Sequence, residues 1–323
     1  KSPVLQYIFS LPAAFKNTSI YVLITLIVSL IAAYLGYLML KDILRNSGLK
    51  IDKKSENSIL YFGSILYLTL LAGIYGSLHH INAISSSLCL ITISLVYMNK
   101  ERNNKLVTNL SAITSAISIS IRPYYLLNII VLPIWLSLRN EKLIVSEKEE
   151  IKLKEFFKYI KRQTNWILII SFYIILFNLT PYILSGNISD FFYGIKLNSV
   201  DYINHNIFQR QYINLGRNPI LYPILLGMIT LPLTRLCFGK TIYNYFLKEK
   251  EGRFNLYKMD IDIIFFGIIN PILLEIMFYR KHFFGHYFTL FTPYALISIV
   301  LLLAIVTRLD KLISNFLNMA EQK

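Results

Sequence analysis

The chain has 323 residues, 55% of them hydrophobic, with 33 Lys and Arg against 18 Asp and Glu and a formal net charge of +15. Its mean hydropathy is +0.51, and predominantly apolar stretches of 15 to 23 residues recur. That excludes an ordinary soluble domain, because about 20 apolar residues are what a helix needs to cross a bilayer. The two cysteines, Cys89 and Cys237, both fall within apolar stretches, which argues against a disulfide framework and a thiolate metal cluster.

In chain order, the first element is a short apolar segment, 1–17, bracketed by Pro3 and Pro12. It is too short to cross and reads as an interfacial segment. Apolar stretches then predict spans at 18–40, 59–75, 81–98, 106–121, 124–138, 166–184, 220–238, 261–278 and 287–306. The fourth and fifth are short and share the dipeptide Arg122-Pro123, where proline disfavours helical backbone at the preceding residue and predicts a break. Ahead of the sixth, 146–163 opens with Ser146 and Glu149 at capping-box spacing. Leu153, Phe156, Phe157 and Ile160 follow at helical spacing among lysines, which predicts a cytoplasmic amphipathic helix on the inner leaflet. The segment 185–218 is the one long connection on its side and is rich in Tyr, Phe and Asn. With no internal repeat, the expectation is an all-α, polytopic transmembrane bundle forming a single domain over 1–323, with about nine membrane segments.

The charges set the expected orientation. The connections 41–54, 99–105, 139–163, 239–258 and 307–323 hold 24 of the 33 Lys and Arg, and they alternate with sparsely basic ones. The positive-inside rule makes the basic set cytoplasmic, the N-terminus outside and the C-terminus inside. The net charge is thereby accounted for without nucleic acid. All five histidines, His79, His80, His205, His282 and His286, fall on the opposite, outer side, together with Arg122, Arg280 and Lys281. A guanidinium at the mouth of two apolar segments calls for an anion, and a phosphate suits its planar fork; snorkelling to lipid headgroups is the competing reading. The same alternatives hold for Arg280, Lys281 and His286 around the last outer turn. His79, His80, Tyr124 and Tyr287 are candidates to contact a sugar or an acceptor. Two adjacent histidines point in different directions on a helix, so a metal pair at His79 and His80 is not expected. Asp190 and Asp201 are the carboxylates of the outer connections and the fallback candidates for a base. Glu275 lies inside the eighth span, where a carboxylate needs a partner.

Three strings in this order, Lys1-Ser2-Pro3-Val4-Leu5-Gln6-Tyr7, SISIRPYY (118–125) and RKHFFGHYFTLFTP (280–293), resemble segments of the GT-C glycosyltransferases. The group concerned is that of the protein O-mannosyltransferases and the lipid A aminoarabinose transferase. The resemblance implies a GT-C-like bundle in a bacterial cytoplasmic (inner) membrane. It implies transfer of a sugar from a polyprenyl-phosphate-linked donor to an extracytoplasmic glycan, lipid or protein acceptor. Arg122, Arg280, Lys281, His286 and Lys1 would hold the donor phosphate. The family's catalytic Asp precedes the first of these strings, so the expectation is that the catalytic carboxylate lies upstream of Lys1. No motif demands a cofactor, and a divalent metal is compatible with the resemblance. Two other classes share the topology: a flippase or transporter of lipid-linked sugars, and a polysaccharide polymerase or ligase, whose essential arginines would be Arg210 and Arg217.

Overall fold

The computed structural model describes residues 3–47, 51–73, 78, 81–100, 104–139, 149–199, 258–259, 261–278 and 289–321. Every regular element among them is helical: α1 (Pro3–Ala14), α2 (Thr18–Arg45), α3 (Lys53–Gly73), α4 (Ile81–Met98), α5 (Lys105–Ile121), a 3-10 turn (Pro123–Leu127), α6 (Asn128–Leu138), α7 (Glu149–Asn178), α8 (Thr180–Leu184), α9 (Ile188–Ser199), a π-helical turn (Ile264–Ile269), α10 (Asn270–Phe278) and α11 (Thr292–Glu321). Three are long and apolar enough to cross a membrane: α2, α4 and the stretch Thr289–Thr307 that contains the start of α11. The apolar helices Lys105–Ile121, Pro123–Leu138 and Ile261–Leu274 are shorter. The span expected at 220–238 lies outside the described residues.

Breaks fall where backbone chemistry demands them. Asn17 caps α2 by accepting the Ser19 N–H at 2.9 Å, after a left-handed Lys16 (φ 50°) turns the chain out of α1. The α4–α5 connection is closed by Asn99, whose amide donates to the Asn104 carbonyl at 2.9 Å and accepts the Asn104 N–H at 3.1 Å. Arg122 is extended (φ −137°, ψ 98°) ahead of Pro123, as the Arg-Pro dipeptide predicts. The segments 146–163 and 166–184, expected as two elements, are drawn together. No Gly or Pro interrupts 149–178, and α7 runs through it unbroken to Asn178. The helix stops there because Pro181 lacks an N–H and its ring crowds the Phe177 carbonyl. Pro271 acts similarly on Gly267. The wide π-helical turn relieves that crowding, and the Phe265 carbonyl accepts both the Asn270 backbone N–H and, at 2.9 Å, the Asn270 side-chain amide.

Side-chain bonds fix the relative directions of the helices. Ser85 pairs with Ser118 and Asn99 with Thr108, so α4 and α5 are antiparallel. Ser29 meets Ser87 and Asp42 meets Tyr97, so α2 and α4 are parallel. Trp166 bonds Ser111 and Asn178 bonds Ser120, so α7 follows α5. By the same argument α6 and α11 run with α4, and α3 runs against α2. One end of the bundle therefore gathers the starts of α2, α4, α6 and α11 with the ends of α3, α5 and α7. The described parts of the basic connections sit at the other.

Helix α4 is the axis of the packing. Its consecutive residues Ser85, Ser86 and Ser87 are buried and point about 100° apart. Each bonds a different neighbour: Ser118 on α5, Thr292 on α11, and both Ser29 on α2 and Tyr67 on α3. Between apolar helices in lipid such hydroxyl pairs and close backbone approach replace the hydrophobic drive to associate. A close approach occurs at Gly63 on α3, where a Cβ would lie 2.5 Å from Val300 Cγ2 on α11.

Candidate functional site

Of the residues singled out in the sequence, Arg122 and Tyr124 are described at the end where α5 stops. The Arg122 N–H donates to the Ser118 carbonyl at 2.8 Å, closing α5, and the Tyr125 N–H returns to the Arg122 carbonyl at 3.2 Å. This pins the Arg122 backbone from both sides. Its half-buried side chain reaches across to α4, where Nε donates to Oδ1 of the fully buried Asn82. Beneath it, Tyr21 of α2, Ile84 of α4 and Ile121 of α5 form a small apolar cluster, joined by Ile8 of α1 and Phe177 of α7. Helix α1 thus packs at this same end.

The 3-10 turn after Arg122 carries Tyr124 and Tyr125, both buried. Tyr124 belongs to the main apolar core, so its ring packs inside the bundle. The Tyr125 hydroxyl donates to the Leu290 carbonyl at 2.8 Å. That bond ties the Arg-Pro turn to the chain four residues after His286, a span of at most about 14 Å of extended backbone. Helix α10, which leads into the string RKHFFGHY, also packs on the 3-10 turn. Asp190 is exposed on α9. Lys1, His79, His80, Asp201, His205, Arg210, Arg217, Arg280, Lys281, His282, His286 and Tyr287 lie outside the described residues.

A guanidinium held at a helix junction is fixed in orientation by its hydrogen bond to Asn82. That arrangement suits recognition of a planar or tetrahedral oxyanion. Among the described residues no group of three or more His, Cys, Asp or Glu side chains is placed to hold a metal ion. Asn82 escaped sequence reasoning, because an asparagine at the start of an apolar helix reads only as an interfacial polar residue. Its spacing of 40 residues from Arg122 gives no local signal.

A second polar constellation occupies the opposite end. The Arg139 guanidinium, just past α6, lies 2.8 Å from Asp262, and the two side chains are 8% and 0% exposed. The contact is a close ion pair rather than a linear hydrogen bond. Trp135 Nε1–H donates to the same Asp262 oxygen at 2.7 Å. The guanidinium stands 5.0 Å from the Tyr97 ring centroid and 5.8 Å from that of Trp135. Tyr97 in turn donates to Asp42 at 2.6 Å. Burial pulls the Arg139 pKa down, but Asp262 and Tyr97 more than offset it, so the group stays protonated. Arg139 and Trp135 are one helical turn apart, which was visible in the sequence; their shared partner 123 residues beyond Arg139 was not.

Comparison with protein-family models, with curated proteins and with solved structures finds no match to this chain.

Proposed function

We propose that this chain is the membrane part of a glycosyltransferase that takes a sugar from a polyprenyl-phosphate-linked donor and passes it to an acceptor outside the cytoplasm. It is read as a bundle of about nine spans with the Arg122 end outside and the basic connections inside. The observation that carries the reading is the Tyr125–Leu290 hydrogen bond. It supports the view that the two cationic strings, SISIRPYY and RKHFFGHY, serve one site although they are some 160 residues apart. The relative directions of the described helices agree with the alternation of basic and non-basic connections that the proposal needs.

In the proposed reaction an acceptor hydroxyl attacks the anomeric carbon, its bond to the phosphate oxygen breaks, and the lipid phosphate leaves with the electron pair. Negative charge on that phosphate grows as the bond breaks, so fixed cations stabilise the transition state more than the bound donor. Arg122, Arg280, Lys281 and His286 take that role, with Lys1 assigned to the same phosphate. Asp190 and Asp201 are the carboxylates to test as base.

The test is binding of a short-chain polyprenyl phosphate to the protein in nanodiscs, read by native mass spectrometry or calorimetry. Arg122→Ala and Arg280→Ala are each expected to weaken binding by about tenfold or more, the value of a charge-assisted phosphate contact. Arg210→Ala and Arg217→Ala are expected to leave it unchanged. The reverse pattern favours the polymerase or ligase class, and absence of binding by the unaltered protein removes the proposal.

A further inference from the structure

The segment after α7 is built unlike the rest of the bundle. The chain breaks at Leu179, makes the single turn α8 and leaves it through Gly186. Gly186 is left-handed at φ 72°. The Asn187 N–H reaches back to the Tyr182 carbonyl at 3.0 Å and the Gly186 N–H to that of Ile183 at 3.1 Å. This hydrogen-bonded helix terminus, with glycine at its left-handed position, reverses the chain sharply. It launches α9 (Ile188–Ser199), whose apolar residues Ile188, Phe191 and Phe192 follow i, i+3, i+4 spacing, continued in the sequence by Ile195. Ser189 and Asp190 occupy the other side.

Among the described residues the apolar side of α9 is uncovered. Phe192 is 61% and Ile188 45% exposed, while Tyr193, 62% exposed, stands on the side of Ser189 and Asp190. Only Phe191 leans back, with its ring 5.6 Å from Tyr182. The exposed stripe does not begin at α9. Leu168, Phe172, Ile175 and Leu176 on α7, then Ile183 and Leu184, are exposed in the same way. Helix α7 packs its other face on α5, and on the proposed reading of 166–184 as a span its exposed side chains face lipid. The uncovered face of α9 continues that lipid-facing belt. A helix with one apolar side carrying aromatic residues and a polar opposite side is what lies in the plane of the lipid–water boundary.

We infer that α9 is a membrane-surface helix, docked with Ile188, Phe191 and Phe192 among lipid acyl chains and Ser189 and Asp190 toward water. The Gly186 turn is what lays it there, and α9 anchors the start of the long 185–218 connection at the bilayer surface. The occupant of the face is the bilayer itself.

The test is site-specific photocrosslinking with benzoylphenylalanine in place of Ile188, Asp190 or Phe192, in the whole chain reconstituted into phosphatidylcholine–phosphatidylglycerol vesicles. All three positions are on the outside of the fold, so the replacements do not disturb the core. Lipid adducts at 188 and 192 are expected in about tenfold excess over 190, the ratio set by burying one aromatic ring in hydrocarbon. A crosslinked dimer at 192 would show that a second copy covers the face and overturn the inference. Equal lipid adducts at 190 and 192, or none at 192, would overturn it as well.

Discussion

Removing one charge from the Arg139–Asp262 pair has a cost that the geometry allows to be worked out. Asp262→Asn keeps an amide oxygen where Trp135 Nε1–H donates at 2.7 Å, so the indole retains its acceptor. What is lost is the carboxylate charge 2.8 Å from a guanidinium that is 8% exposed. Stranding one member of a buried pair costs about 3–5 kcal/mol. The Tyr97 and Trp135 rings, at 5.0 and 5.8 Å, return about 0.5–2 kcal/mol through cation–π attraction. The net loss expected for Asp262→Asn is therefore about 2–4 kcal/mol, and Arg139→Met, which strands the carboxylate, should lose a similar amount. The double variant removes both charges and fills the guanidinium space with an apolar chain. It should recover to within about 1 kcal/mol of the parent, because an intact buried pair and an apolar replacement differ little. Equilibrium unfolding by SDS in mixed micelles measures all four proteins as one double-mutant cycle. Single variants within about 1 kcal/mol of the parent, or a double variant that loses the sum of the two singles, would refute the reasoning.

Gly63→Ala sets a Cβ 2.5 Å from the stiff Val300 branch and should destabilise by about 1–3 kcal/mol, with Val300→Ala relieving most of it; thermal unfolding of the single and double variants measures this. Gly36→Ala, whose nearest neighbour would be the flexible Leu90 end at 3.2 Å, should be far milder in the same assay. Gly186→Ala meets no atom within 4 Å but must hold φ 72°, so about 1 kcal/mol of backbone strain is expected, seen as faster hydrogen exchange in α9 while α4 is unchanged. Asn82→Leu removes the acceptor of the Arg122 Nε–H at a fully buried position and should cost about 1–3 kcal/mol by chemical unfolding; Asn82→Asp, which keeps an acceptor, should be milder.

Much of the helical layout was legible in the sequence, for identifiable reasons. The stretch 81–98 was delimited to the residue, because a polar turn precedes it and Asn99, a side-chain cap for the next turn, follows it. The break at Arg122 followed from Pro123 alone. The amphipathic segment before the sixth expected span was legible as helix, but not its fusion with the apolar stretch that follows. Two patterns of different periodicity suggested two elements, while the backbone, free of Gly and Pro from 149 to 178, had no reason to stop. At the candidate site, Arg122 declared itself as a cation beside a proline in apolar surroundings. Its partner Asn82 did not, nor did the bond from Tyr125 to Leu290, since both are contacts between residues distant in sequence. The three consecutive serines of α4 looked like a weakly polar blemish in a span. Only the four neighbouring helices α5, α11, α2 and α3 give each of them a partner.

The π-helical turn at Ile264–Ile269 governs how the chain may change in length. Along this segment the buried positions Asp262, Phe266, Asn270 and Leu274 recur in steps of four, whereas a regular helix returns to the same side every 3.6 residues and would drift by about 40° at each step. The widened turn absorbs that drift and holds all four on one line. Losing a single residue there would leave the same four side chains four, three and four residues apart, a spacing that a regular helix keeps on one side. A one-codon deletion inside the turn is therefore the change in length this stretch can absorb, by closing the wide turn into regular helix.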